Sequence, residues 1–297
     1  MSTAPDATRV TVDADELARL LSGDERPVLL DVRHDPRQDG AGHAAFAEGH
    51  IPGALYVDLA RDLARPGRPD EGRHPLPALD TLQATVRRWG VSHGTPVVVY
   101  DARSGLSAGR AWWVLRWAGL ENVRILDGGI AAWTARGHRL TDRQSPLPAP
   151  GDAVLTTGAL PVVDADTAAA YAARGLLFDA RGIDAYERGH IPGAHSTPAA
   201  ANLRVDGTLS DPAALRARYA ALLPRADGEA PGPTPFAVYC GSGVSAAFQT
   251  AVLTALGIPV ALYPGSWSAW SADPARPVAT GPDPGPGRAA VDHENGG

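Results

Sequence analysis

Short apolar runs without polar alternation punctuate the chain: Val28–Leu30, Val97–Tyr100 and Val123–Leu126, then Leu176–Phe178, Phe236–Tyr239 and Val260–Tyr263. Runs of strand length that skip the in–out alternation predict parallel strands covered on both faces. Between them the apolar residues take helical spacing, as at Leu17, Leu20 and Leu21, at Leu79, Leu82 and Val86, and at Trp112, Leu115 and Trp117. Ala246 to Leu256 reads as a further helix. Gly119 and Gly257 stand where a C-terminal cap glycine ends a helix. The alternation predicts an α/β fold with parallel sheets flanked by helices.

The pattern occurs twice. GHIPGA stands at Gly49–Ala54 and again at Gly189–Ala194. VLLDVR (Val28–Arg33) precedes the first copy and LLFDAR (Leu176–Arg181) the second. VVVYD (Val97–Asp101) and FAVYC (Phe236–Cys240) follow them, then LDGGIAAW (Leu126–Trp133) and YPGSWSAW (Tyr263–Trp270). Ordered matches at such a long period imply duplication of a whole domain. The domains are expected over 9–140 and 156–278. Between them, 141–155 contains the Pro-rich stretch TDRQSPLPAPGDA and reads as a linker. Residues 279–297 hold too little apolar material to fold and are expected as a disordered tail. Pro224–Pro235 is expected as a surface loop.

Composition narrows the chemistry. All 27 basic residues of the 297 are arginine, which removes Schiff-base, pyridoxal-phosphate and Walker-type lysine chemistry. Cys240 is the only cysteine, so an internal disulfide, a zinc knuckle and an iron–sulfur cluster are excluded, and neither cofactor nor metal is expected. The formal charge of −6 argues against a nucleic-acid partner. The polar, acidic N-terminus lacks the features of a signal peptide. The longest apolar run, Ala246 to Tyr263, is broken by Gln249, Gly257 and Pro259, so no membrane span is expected and the location is read as cytoplasmic.

Cys240 concentrates the chemistry. It follows a strand run, opens C-G-S-G-V-S and precedes a helix, which is the usual ligand position of an open α/β sheet. A glycine-rich loop lets several N–H groups point at one sulfur, and the helix N-terminus adds partial positive charge. Both favour the thiolate, the nucleophilic form. The competing reading is a small buried hydrophobe. A cysteine-dependent phosphatase needs an arginine six residues after the cysteine, and position 246 is alanine.

The duplicated GHIPGA, the LDVR and FDAR strands, the cysteine loop and GSWSAW together resemble the tandem-domain rhodaneses, the thiosulfate and 3-mercaptopyruvate sulfurtransferases, over about Val10 to Val278. The resemblance implies two rhodanese-like domains and sulfane sulfur carried as a persulfide on Cys240. The sulfur passes from a small-molecule donor to cyanide or a thiol, with a thioredoxin-like reductant among the candidate acceptors. Asp101 at the matching strand end implies a non-catalytic first domain. Cys240–Ser245 is closer to the C-G-S-G-V-T loop of the mercaptopyruvate branch, and Gly241, Gly243, Val244 and Ser245 would form the donor-binding loop around the sulfur. The thiosulfate branch has basic residues directly after the cysteine. Here Gly241 and Ser242 are uncharged, which predicts weak electrostatic selection of thiosulfate and a preference for mercaptopyruvate. The mercaptopyruvate branch is also associated with a Ser–His–Asp relay. Ser242 and His74 match the first two members, while the aspartate position falls at Ala60, leaving Asp58 or Asp62 as substitutes. Two donor-binding arginines carried by an insertion in the second domain are missing, the first being replaced by Ala185. Arg181 and Arg188 remain as candidates, Arg181 also matching a structural ion-pair position and Arg188 also suiting plain exposure. The alternative to an enzyme is a catalytically weak rhodanese-like binding or regulatory module.

Overall fold

The computed structural model describes residues 9–35, 37–38, 40–222 and 230–286. Two parallel sheets organise it. The first orders its strands β1 (Thr11–Val12), β5 (Val123–Leu126), β4 (Val97–Tyr100), β2 (Val28–Asp31) and β3 (Leu55–Tyr56). The second runs β7 (His195–Ser196), β6 (Leu177–Asp179), β8 (Phe236–Tyr239) and β9 (Val260–Leu262), with Val162 bridging Leu262 where the first sheet has β1. The central strands β4 and β8 are buried at every residue, which is why their sequences lack polar alternation. The two-residue strands β1, β3 and β7 are too short to leave a pattern in the sequence.

The repeated motifs build the same corner twice. Asp31 and Asp179 are wholly buried, and each accepts a forked hydrogen bond from the arginine two residues on, Arg33 or Arg181. The same guanidinium then donates to the carbonyl of Gly49 or Gly189, fastening the strand end to the GHIPGA turn. His50 and His190 stack on Phe46 and Tyr186 at 3.8 Å. Gly53 and Gly193, with φ of 92° and 87°, make a turn that no β-carbon residue adopts easily. GHIPGA is therefore a packing and turn element.

The domains meet through helices α1 (Ala108–Trp117) and α2 (Ser245–Ala255), and one hydrophobic core continues across both. A β-carbon on Gly109 would fall 2.5 Å from the Phe248 Cα, so the close approach of these helices requires glycine there. The linker segment lies along the first domain: Gly151 and Ala153 N–H groups donate to the carbonyls of Arg87 and Val91, and Ala153 and Leu155 are buried.

The expected tail differs at its start. Ala279 forms an antiparallel bridge with His190, Gly281 donates to the Glu187 carbonyl and Pro284 accepts from Gly193. Main-chain pairing along 279–286 needs no apolar side chains, so a composition-based boundary at 279 falls too early. Residues 287–297 of that tail, and 224–229 of the expected surface loop, lie outside the described residues.

Candidate active site

Cys240 directly follows β8 at the carboxyl edge of the second sheet and is buried, at 2% exposure. The loop is held from the GSWSAW segment. The Cys240 N–H donates to Ser266 Oγ at 3.1 Å, and the Cys240 and Gly241 carbonyls accept from the N–H groups of Trp267 and Ser268. Ser266 sits at φ 54°, a left-handed conformation unusual for a residue with a side chain. The matching residue of the first domain is Gly129, at φ 59°. Ser266 thus accepts backbone strain, and its hydroxyl gains the Cys240 N–H. Nothing in the motif alone marks this role; the visible signal is serine in the second copy where the first has glycine.

Asp101 occupies the corresponding strand end of the first domain. Its buried carboxylate accepts from the N–H groups of Arg103, Gly105, Ser107 and Ala108 at 2.6–2.9 Å. A carboxylate gathered by four N–H groups demonstrates what a strand-end loop of this fold offers an anion.

Ser242 and His74 come together across the domain boundary. His74 Nδ1 lies 3.0 Å from Ser242 Oγ. Burial, and then the nearby Arg110, His34 and Arg73 charges, push the His74 pKa down to about 4. Its imidazole is therefore neutral at physiological pH and can hold the hydroxyl as donor or acceptor. His34 meets the His74 ring edge-to-face at 5.8 Å. Neither substitute aspartate joins them. Asp58 caps a short helical turn through the N–H groups of Ala60 and Arg61, and Asp62 accepts from Asp58 N–H and pairs with Arg61 and Arg88. Ala60 lines the cleft but has no group to offer.

Arg110, which the sequence reading did not single out, is wholly buried beneath this pair. Its guanidinium donates to the Leu63 and His74 carbonyls of the first domain, at 3.1 and 2.9 Å, and to the Gly243 carbonyl of the second at 3.4 Å. Burial lowers its pKa to about 10, against the opposing influence of Cys240. Gly243 has φ 76°, and a β-carbon there would stand 2.6 Å from the Pro264 carbonyl oxygen. It is a turn residue rather than part of the cleft wall, unlike Gly241, Val244 and Ser245.

The cleft, about 880 Å³, is cationic. Arg37, Arg73 and Arg103 enter it from the first domain, Arg181 and Arg188 from the second, and none of the described residues lining it is a carboxylate. Arg181 is occupied: it is paired with Asp179, bonded to the Gly189 carbonyl and packed 4.7 Å over Trp267. Arg188, at the end of a short helix (Ile183–Arg188), lines the cleft. The expectation of a cysteine loop without adjacent cations needs correction. The Arg73 guanidinium lies 3.3 Å from where a Gly241 β-carbon would stand. Gly241 and Ser242 are uncharged, but folding brings a charge to them from 168 residues away, counting from Gly241 to Arg73 in the chain. No group of metal-binding side chains occurs among the described residues. No helix among them is long and apolar enough to cross a membrane.

A family model described as a rhodanese-like domain matches residues 13–136 and again 160–273. SseB of Mycobacterium tuberculosis, which carries a thiosulfate sulfurtransferase name, is 42% identical over 92% of this chain and 98% of its own. A Pseudomonas aeruginosa protein with a 3-mercaptopyruvate sulfurtransferase name is 40% identical over 90% of this chain and 97% of its own. The crystal structure of SseA from Escherichia coli, described as a 3-mercaptopyruvate sulfotransferase, superposes with a TM-score of 0.73 at 31% identity, covering 87% of this chain and 99% of that one.

Proposed function

The chain belongs to the rhodanese family, two of whose domains it carries, and from that premise we propose that it is a sulfurtransferase working through a persulfide on Cys240. Its donor is 3-mercaptopyruvate or thiosulfate, and its acceptor is cyanide or a thiol, a thioredoxin-like protein included. The observation that carries the reading is a lone cysteine at a strand end, beside a hydroxyl–imidazole pair, in a cleft lined by arginines and, among the described residues, no carboxylate.

In the first half-reaction the Cys240 thiolate attacks the donor sulfur and a sulfur–sulfur bond forms. With thiosulfate, the bond to the sulfonate sulfur breaks and sulfite leaves with the electron pair. With mercaptopyruvate the carbon–sulfur bond breaks, and the pyruvate enolate leaves with the pair. The enolate needs a proton, and the donor brought one on its sulfur. Ser242 gives its hydroxyl proton to the enolate and takes the one on the new persulfide, while neutral His74 holds the hydroxyl in line. In the second half-reaction the acceptor attacks the outer sulfur and Cys240 leaves as thiolate. Turnover needs a free thiol, which suits a reducing, cytoplasmic location.

The test is thiocyanate formation from cyanide with each donor, together with the mass gain of one sulfur on the protein. Cys240→Ser abolishes both, because a serine oxygen forms no persulfide and no second cysteine exists. Turnover surviving in that variant would reject the mechanism. No turnover of wild-type protein with either donor would reject the enzyme and leave the binding module.

A further inference from the structure

We propose that the anionic end of the sulfur donor is held by the first domain, through Arg73 and Arg103. This rests on the sulfurtransferase reading and names what its cleft selects: a small molecule with a carboxylate or sulfonate one to three bonds from the transferable sulfur.

The second domain cannot supply the grip unaided. Arg181 has its Nε and Nη2 donors committed to Asp179 and Gly189 and its face to Trp267. Ala185 offers no charge, and Arg188 is the one further arginine that this domain contributes among the described lining residues. The first domain offers more. Arg73 and Arg103 line the cleft and are exposed, and among the described residues neither side chain has an ion-pair partner.

Arg73 is also placed by the fold rather than merely near. Its N–H donates to Ser268 Oγ, and the Ser268 N–H donates to the Gly241 carbonyl, so the strap carrying Arg73 and the cysteine loop are fastened to one segment. Gly72, just before it, has φ 85°, and a β-carbon there would stand 2.6 Å from the Gly265 carbonyl oxygen. That contact brings the strap down onto the second domain. Arg103 follows from the Asp101 loop, whose carboxylate fixes the Arg103 N–H at 2.7 Å. Two guanidinium groups without an ion-pair partner among the described residues, in the cleft that buried Cys240 also lines and with no carboxylate among its described lining residues, form an anion site whose ligand has its sulfur at Cys240.

The experiment uses full-length protein and two probes of one shape, iodoacetate and iodoacetamide, which alkylate Cys240 with loss of iodide. They differ only in charge. The ratio of their rates reports the grip without any sulfur transfer, and the single cysteine makes the label unambiguous. In Arg73→Ala/Arg103→Ala the ratio falls roughly tenfold or more, the size of one charge-assisted hydrogen bond lost. In Arg188→Ala it falls by much less. For donors, kcat/KM of the double variant falls for both, and further for the thiosulfate dianion than for mercaptopyruvate. An unchanged ratio in the double variant, or an equal loss in Arg188→Ala alone, overturns the proposal. A fallen ratio in a protein that turns over neither donor would uphold the anion site and reject the sulfurtransferase reading.

Discussion

Replacing Arg110 with methionine separates positioning from binding. The side chain keeps an unbranched apolar stem, and the guanidinium is lost. That group donates to Leu63 and His74 carbonyls at 3.1 and 2.9 Å and weakly to Gly243. Two good hydrogen bonds from a charged donor are worth about 1.5–3 kcal/mol each, so their loss costs about 3–6 kcal/mol. Against this stands the price of burying the charge. The pKa held down to about 10 from 12.5 corresponds to about 3 kcal/mol, which the variant regains. The net loss is about 2 kcal/mol, a fall in Tm of about 4–8 °C for domains of this size. Activity should suffer more than stability. The same guanidinium ties the His74 main chain to the Ser242–Gly243 loop, and a displacement of about 1 Å in such a pair costs about 100-fold in rate. Calorimetry and steady-state kinetics with both donors read the two effects. The expected pattern is a large fall in kcat with KM little moved, since the cleft arginines remain. Unchanged Tm and kcat, or an effect confined to KM, would refute the role.

The remaining predictions concern His74 and the cysteine loop. With the His74 pKa near 4, the pH profile of kcat with mercaptopyruvate has no inflection near pH 6.5 from this residue and declines only as pH approaches 4; an inflection near 6.5 that His74→Gln removes would contradict it. The same group affects stability, because its folded value lies below its unfolded one. As pH falls from about 6.5 the unfolded chain takes up the proton first, so wild-type stability declines down to about pH 4, more steeply than that of His74→Gln in denaturant titrations. Gly243→Ala, at φ 76° and facing the Pro264 carbonyl, costs about 1–3 kcal/mol in chemical denaturation and displaces the loop, with loss of turnover; full stability and activity would show that the turn has another conformation available.

Local pattern was enough to announce the parallel strands, the principal helices, the duplication and the cysteine loop. Unalternating apolar runs have few stable fates, and a glycine-rich turn between strand and helix has fewer. Short elements escaped, since two residues of β1, β3 or β7 carry no period and acquire their state by pairing with neighbours already in place. The start of the tail escaped for the same reason, because Ala279 is ordered by main-chain bonds to His190. His74 and Ser242 could be named from the family resemblance, yet their 3.0 Å approach depends on how α1 packs on α2. The charge at the cysteine loop lay wholly beyond sequence reading. Arg73, Arg103 and Arg110 belong to the domain without the cysteine, among 27 arginines of which most are surface residues by composition alone. Electrostatic interaction falls with distance in space, not along the chain, so only the docking of the two domains decides which of these charges meet Cys240.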